Sequence, residues 1–441
     1  MKRTLQCLSL LACLVAGAGH ARSSTVSCRL ELDREVLPAD RSERVVARLT
    51  IEAPRPATSH RPPVNLAIVL DRSGSMNGPR IEQAREAAIT ALRMLSPRDR
   101  FSLVVFDSGV ETLIPSQPAR DSAWMERRIR EIRPGGMTAL FGGVSQGAAE
   151  VRRHQEGEFI HRVILLSDGK ANVGPSSPED LGRLAAALRK ERISVSTVGL
   201  GLDYNEDLMI RMAQASDGNS YFVEDSLDLP RIFADELGDV FDVMARDLRI
   251  LITLPDGMRP IRIIGRDGRV QADRIELEMG QVYGGQPRHV LFEVEVPPTP
   301  EGRRRSVASA EITLVQAADG IPLRLQAEAS ARFSHDAAAV DRSLNREVAR
   351  ETVLNIRAES QRQAVVEVDA RRPEAAGRHL REAAVRMRDL GERIGDDGLT
   401  RDADALERQA DTIGERGALS APARKELMTE SFQTIQQQRN R

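Results

Sequence analysis

Short, uninterrupted apolar runs alternate with stretches of helical periodicity over residues 64–223, and this alternation constrains the fold more than any other feature of the chain. The apolar runs occupy residues 65–70, 101–106, 163–166 and 193–198. They show no in–out alternation, as expected of strands that are covered on both faces. Between them, apolar residues recur every three or four positions, which predicts amphipathic helices. The pattern therefore predicts an α/β domain with a doubly wound, mostly parallel sheet.

The segments on either side of this domain have a different period. Residues 25–60 and 245–335 carry apolar residues at alternate positions, separated by turn signals such as the Pro-Asp-Gly sequence at 255–257. This pattern predicts antiparallel strands. We interpret the two segments as one β-sandwich into which the α/β domain, residues 64–244, is inserted. The alternative is a pair of unrelated β appendages.

Residues 336–441 lose the strand pattern, and three apolar faces with helical spacing take its place. Such faces are typical of helices that pack on one another or on the sandwich. Glycines at positions 391, 398, 414 and 417 are expected to separate the helices. The sequence thus predicts a C-terminal α-helical region.

The first 21 residues are typical of an export signal, because Lys2 and Arg3 precede an apolar run at 8–15 and small residues up to Ala21. The mature chain contains no stretch near the ~20 apolar residues that a membrane span requires. We therefore expect an exported protein, periplasmic or secreted, without a transmembrane segment. Lipoprotein anchoring is disfavoured because Cys13 lies inside the apolar run. The formal net charge of -2 gives no general attraction to nucleic acid.

Three short segments place oxygen-bearing side chains at the carboxyl ends of predicted strands or in the loops beside them. The sequence Asp-Arg-Ser-Gly-Ser at 71–75 follows the first apolar run, Thr138 lies in a glycine-rich loop, and Asp168 follows the third run. In an open parallel sheet, the carboxyl ends of neighbouring strands border a ligand-binding crevice. We therefore expect five side chains to converge there: Asp71, Ser73, Ser75, Thr138 and Asp168.

These three hydroxyls and two carboxylates form an all-oxygen set that suits a hard cation. The small number of carboxylates favours Mg²⁺, which retains water ligands; Mn²⁺ is compatible, and Ca²⁺ fits less well. Each segment alone is also a common turn or helix-capping pattern. Their agreement in order and position favours the metal site. The seven histidines and Cys28 lack the spacing of a zinc site.

At these residues the chain resembles the von Willebrand factor A family, whose metal-ion-dependent adhesion site consists of Asp-x-Ser-x-Ser, a distant Thr and a distant Asp. All five elements are present, and the resemblance extends over about residues 64–240. It implies that Ser73, Ser75 and Thr138 coordinate the metal through their hydroxyls. It also implies that Asp71 and Asp168 act directly or through water. The flanking pattern is similar to that of bacterial exported proteins with such a domain.

The donor set and the resemblance predict a divalent-cation-dependent binding protein rather than an enzyme. A metal with few charged ligands stays electrophilic, so the expected partner is a protein that presents an Asp or Glu to it. One alternative is a metal-stabilised structural protein or a channel or transport accessory protein. Another is a metal-dependent hydrolase, which is disfavoured because the sequence places no His or Lys as a general base.

Overall fold

The computed structural model of the chain describes residues 26–55, 61–156 and 159–438. The export signal expected at residues 1–21 lies outside these ranges. None of the helices within them is both long and apolar enough to span a membrane. The described chain forms an α/β domain, two packed β-sheets and a group of C-terminal helices.

The chain begins in the packed β-sheets. Its first strands are β1 (Ser27–Leu32), β2 (Val36–Pro38) and β3 (Glu43–Glu52). Strands β1 and β3 pair in antiparallel register. Four side chains at alternate positions of β3 lie in the core between the sheets: Val45, Ala47, Leu49 and Ile51. This alternation explains why the sequence predicts a strand with one apolar face.

The α/β domain follows β3. Its elements are β4 (Val64–Asp71), α1 (Pro79–Met94), β5 (Arg100–Phe106), β6 (Val110–Pro118), α2 (Ser122–Arg130), α3 (Leu140–Arg152), β7 (Ile160–Ser167), α4 (Pro178–Lys190), β8 (Ile193–Leu200), α5 (Glu206–Ser216), β9 (Ser220–Val223) and α6 (Leu229–Phe241). The strand order is β6-β5-β4-β7-β8-β9, and β6 alone runs antiparallel to its neighbour. Strands β4 and β7 are buried along their whole lengths, which explains their apolar runs at 66–70 and 163–166. The predicted fold class is confirmed.

The remaining strands complete the β-sandwich. They are β10 (Val243–Thr253), β11 (Arg259–Ile264), β12 (Arg269–Val270), β13 (Arg274–Tyr283), β14 (Arg288–Val296), β15 (Arg304–Gln316) and β16 (Pro322–Ser334). The two sheets have the orders β1-β3-β14-β11 and β12-β13-β10-β15-β16-β2. Because β3 pairs with β14 and β2 pairs with β16, the segments before and after the α/β domain form one sandwich. The alternative of separate appendages is wrong.

The chain leaves the sandwich and returns to it at neighbouring points. The carbonyl of Ala53 accepts a hydrogen bond from the backbone N–H of Gly285 at 2.8 Å, and that of Asp242 accepts from Gly284 at 2.7 Å. The guanidinium of Arg61 also lies over the ring of Phe241, 4.2 Å from its centroid. Both ends of the α/β domain are therefore held together at the end of β13.

Five helices follow the sandwich within residues 336–438, the part of the C-terminal region that the structure describes. They are α7 (Ala337–Arg342), α8 (Arg346–Asp369), α9 (Pro373–Ile394), α10 (Asp397–Arg416) and α11 (Ala421–Gln436). Helices α8, α9 and α10 share a core of small and apolar side chains. Helix α11 packs against α8 and also reaches the α/β domain, where Phe432 packs on Ile210 and Ala213 of α5. The helical region thus binds to the domain that carries the predicted site.

A buried polar cluster joins the α/β domain to the sandwich. Arg162 on β7 and Glu236 on α6 are both fully buried, with Nη1 of Arg162 3.3 Å from Oε1 of Glu236. Nη2 of Arg162 donates to Oε1 of Gln281 on β13 at 2.9 Å. Oε2 of Glu236 accepts from the Tyr221 hydroxyl and from Nδ2 of Asn219, each at 2.8 Å. The cluster fixes α6 to the sheet and the sheet to β13.

Candidate functional site

The predicted site residues lie at the carboxyl edge of the central sheet. Asp71 is the last residue of β4, and Asp168 directly follows β7, the strand beside it. Thr138 lies in the loop that precedes α3. This loop is bound to the segment after β4 by a backbone hydrogen bond from Gly74 to the carbonyl of Gly136 at 3.1 Å. The structure therefore brings all three predicted segments together.

Four of the five side chains take part in one hydrogen-bonded chain. Ser73 Oγ and Ser75 Oγ are 3.1 Å apart, and Ser75 Oγ donates to Oδ1 of Asp168 at 2.7 Å. Oδ1 of Asp71 accepts from the backbone N–H of Ser73 at 2.8 Å. Asp71, Asp168 and Ser73 are buried, whereas Ser75 is exposed. The oxygens are thus held in place by the protein but are open to solvent on the side of Ser75.

Gly169 belongs to the third segment and lies beside oxygens from the other two. A Cβ atom at this position would lie 3.2 Å from Thr138 Oγ1, 3.5 Å from Ser75 Oγ and 3.8 Å from Asp71 Oδ2. The glycine leaves this point free of a side chain. Hydroxyl and carboxylate oxygens are the kind of ligand that Mg²⁺ prefers. The residues present therefore fit a hard divalent cation.

The two carboxylates of the site have different surroundings. Burial raises the pKa of Asp71 to about 6, although hydrogen bonds from Ser167 and Ser73 favour its ionised form. Asp168 instead accepts a hydrogen bond at Oδ2 from Nη1 of Arg80, at 2.6 Å. Arg80 lies in the first turn of α1 and is partly exposed, while the carboxylate of Asp168 is fully buried. A cation near Asp71 would favour its ionised form, and Arg80 already supplies positive charge to Asp168.

Sequence reasoning missed three residues that shape the site. Gly169 provides the open point, Ser167 donates to Oδ2 of Asp71, and Arg80 pairs with Asp168. The sequence contained a signal for Ser167, since this hydroxyl residue directly follows the apolar run at 163–166 of a buried strand. The sequence contained a signal for Arg80 as well, because a basic residue in the first turn of a helix opposes the helix dipole and so calls for another explanation. Both residues contact a carboxylate that the sequence did identify.

The site differs in kind from a cluster of acids, histidines or cysteines. Among the residues that the structure describes, no group of three or more His, Cys, Asp or Glu side chains is placed to hold a metal ion. The candidate site draws three of its five oxygens from hydroxyl groups, so it does not depend on such a cluster. Hydroxyl and carboxylate oxygens suit Mg²⁺ and Mn²⁺ rather than soft metals.

Residues 65–235 match the family model of the von Willebrand factor type A domain, a range that contains all five candidate ligands. An uncharacterized protein of Synechocystis sp. is 24% identical over 316 residues, which cover 66% of this chain and 72% of that protein. Inter-alpha-trypsin inhibitor heavy chain H4 of Homo sapiens is 31% identical over 204 residues. That match covers 43% of this chain and only 21% of the human protein, so it is confined to a part of the latter.

The fold also has a counterpart among solved structures. A von Willebrand factor type A protein from Catenulispora acidiphila superposes with a TM-score of 0.67 at 20% sequence identity. The superposition covers 87% of this chain and 91% of that one. The shared fold therefore extends beyond the α/β domain into the flanking regions.

Proposed function

We propose that this chain, in which residues 65–235 form a von Willebrand factor type A domain, binds another protein through a divalent cation. The ligands are Asp71, Ser73, Ser75, Thr138 and Asp168. These side chains hold Mg²⁺, for which Mn²⁺ can substitute, and the bound cation attracts an Asp or Glu of the partner. The observation that carries the proposal is that oxygens of Asp71 and Ser75 from one segment and of Thr138 from another meet beside Gly169, which belongs to the third.

The composition of the site favours binding over hydrolysis. A hydrolase needs a general base within hydrogen-bond reach of the attacking water. The histidine on β7, His161, lies near the amino end of that strand, whereas Asp168 follows its carboxyl end. The guanidinium of Arg80 has no acceptor atom, so it cannot serve as the base. The sequence likeness to a chain of a trypsin inhibitor also supports a role in protein interaction. We therefore propose a function without catalysis.

We also propose that the protein is exported and meets its partner in the periplasm or outside the cell. The basis is the amino-terminal sequence, in which Lys2 and Arg3 precede the apolar run at 8–15. The net charge of -2 supports a protein partner over a nucleic acid.

Thr138→Ala is expected to weaken Mg²⁺ binding at least tenfold, because it removes one hydroxyl ligand. The free energy of unfolding in the absence of metal should change by less than about 1.5 kcal/mol, since the change removes a hydroxyl and one methyl group. Calorimetric titration with Mg²⁺ and urea denaturation in EDTA measure the two quantities. The matched control is Thr412→Ala on α10, which should bind Mg²⁺ like the wild-type protein.

The same experiment separates the proposed function from its alternatives. Loss of Mg²⁺ binding with retained stability supports a binding role. If Thr138→Ala instead lowers the stability of the EDTA-treated protein by several kcal/mol, the site is structural. Wild-type Mg²⁺ binding by a protein with both Asp71→Ala and Ser73→Ala would show that the site assignment is wrong.

Arg80→Gln is expected to strengthen Mg²⁺ binding threefold to tenfold. The guanidinium neutralises the buried carboxylate of Asp168 and repels an incoming cation, but its partial exposure weakens both effects. Calorimetric titration of Arg80→Gln and of Arg80→Lys, which keeps the charge, measures the change. Affinity that is equal in the wild type and in both variants would show that Arg80 does not compete with the metal.

A further inference from the structure

Four large apolar side chains of the α/β domain are exposed, and all four lie at the end of the sheet that carries the candidate site, where the parallel strands have their carboxyl ends. Val110 is 39% exposed, Met137 50%, Leu202 39% and Leu227 69%. Among the described residues of this domain, these are the exposed large hydrophobic side chains. Apolar side chains gathered in one region of a protein surface mark an interaction site.

The four side chains lie on two sides of the candidate site. Val110 begins β6, and Met137 lies near it because the backbone N–H of Met137 donates to Ser108 Oγ at 2.9 Å. Leu202 follows β8, and Leu227 follows β9. The strand order is β6-β5-β4-β7-β8-β9, and the site lies at the ends of β4 and β7. One apolar pair therefore lies on each side of the site.

We propose that the partner presents an extended segment with a central Asp or Glu and an apolar residue on each side of it. This inference rests on the proposed function, because the central acid is the group that binds the cation. Neighbouring strands are ~4.8 Å apart. Counted in strands from the site, Leu202 therefore lies ~7 Å away, and Val110 and Leu227 lie ~12 Å away on opposite sides. An extended chain advances ~3.4 Å per residue and returns to the same face at every second residue. Apolar residues two or four positions from the acid therefore reach the two pairs.

The charges near the site favour this segment over an anionic surface. Arg72 is paired with Asp107 at 2.9 Å and with Glu111 at 3.0 Å. Arg80 is paired with Asp168. Because these arginines are neutralised by carboxylates of the same chain, they offer little attraction to a polyanion or a lipid surface. Beside these neutralised pairs, the partner meets the four exposed apolar side chains.

Synthetic seven-residue peptides test the inference directly. The probe has a central Asp, Leu two positions before and after it, Ser elsewhere and a fluorescent label; one control has Asn at the centre, and another has Ser in place of both Leu residues. Fluorescence anisotropy is measured in Mg²⁺ and in EDTA. The Leu-flanked Asp peptide should bind in Mg²⁺ at least tenfold more tightly than the Ser-flanked peptide. Binding should be lost with Asn or with EDTA.

Variants of the protein locate the apolar contacts. Leu202→Ser and Met137→Ser should each weaken binding of the Leu-flanked peptide about tenfold and leave binding of the Ser-flanked peptide unchanged. The matched control is Val366→Ser, which alters an exposed apolar residue of α8. It should leave the binding of both peptides unchanged.

The outcomes distinguish this inference from the proposed function. If the Leu-flanked and Ser-flanked peptides bind equally well and only in Mg²⁺, the proposed apolar contacts are wrong, but the metal-bridged function stands. Binding that persists in EDTA overturns both. If the protein binds Mg²⁺ but none of the peptides, the proposal that the partner presents an extended segment is wrong. Self-association that Leu202→Ser abolishes would identify a second copy of the chain as the occupant and would also overturn the inference.

Discussion

Glu236→Ala is expected to lower the free energy of unfolding by about 3–5 kcal/mol, because it leaves the charge of Arg162 buried without a counter-charge. Both side chains are fully buried. Although burial opposes the charged form, Glu236 holds the pKa of Arg162 above its usual value. The hydrogen bonds of Arg162 to Ser196 and Gln281 remain in the variant, but neither partner carries a charge.

Urea denaturation of the variant and the wild type measures this loss. Glu236→Gln keeps the shape of the side chain and should be less destabilising than alanine. The control is Glu86→Ala, which breaks the exposed ion pair with Arg130 and should cost less than about 1 kcal/mol. If Glu236→Ala costs no more than this control, the neutral groups around Arg162 suffice to stabilise its charge.

Glu206→Ala, at the contact between the helical region and the α/β domain, is also expected to lower the free energy of unfolding by about 3–5 kcal/mol. Glu206 accepts hydrogen bonds from Lys425 and Arg424 of α11. Burial opposes the ionisation of Glu206, but the hydrogen bonds from these partners hold its pKa below the usual value. Without Glu206, the buried ammonium of Lys425 keeps only the carbonyl of Tyr204 at 2.7 Å and the ring of that residue.

The neighbouring carboxylate provides the control for this variant. Asp207 also binds Arg424, but its side chain is exposed, so Asp207→Ala should cost less than about 1 kcal/mol. Urea denaturation measures both variants, and limited proteolysis reports whether α11 has detached from α5. Equal stability losses for the two variants would show that the burial of Lys425 does not matter.

The α/β domain could be predicted because its strands are buried on both faces. Residues 66–70 of β4 and 163–166 of β7 therefore form continuous apolar runs, as expected of strands covered on both faces. The site could be predicted for a related reason, since residues directly after such strands lie at one edge of the sheet. The ion pair between Arg80 and Asp168 could not, because it depends on the direction of a long side chain.

The glycines of the C-terminal region show where sequence reasoning failed. We expected Gly391, Gly398 and Gly414 to separate helices, but they lie inside α9 and α10. At Gly391 a Cβ atom would lie 2.8 Å from Thr400 Oγ1, so this glycine permits a close approach between the two helices. Gly417, with a φ of 65°, does end α10 as expected. A glycine that permits helix contact and one that ends a helix look alike in a single sequence.

The meeting of the two ends of the α/β domain has a consequence for the order of folding. Strand β3 finds its partner β14 only after the chain has passed through the whole inserted domain. The entropy lost on closing a flexible loop grows with the logarithm of its length. Once the inserted domain has formed, with Arg61 against Phe241, the flexible chain between the two halves of the sandwich is short. We therefore expect the inserted domain to fold first and to bring the two halves of the sandwich close enough to pair.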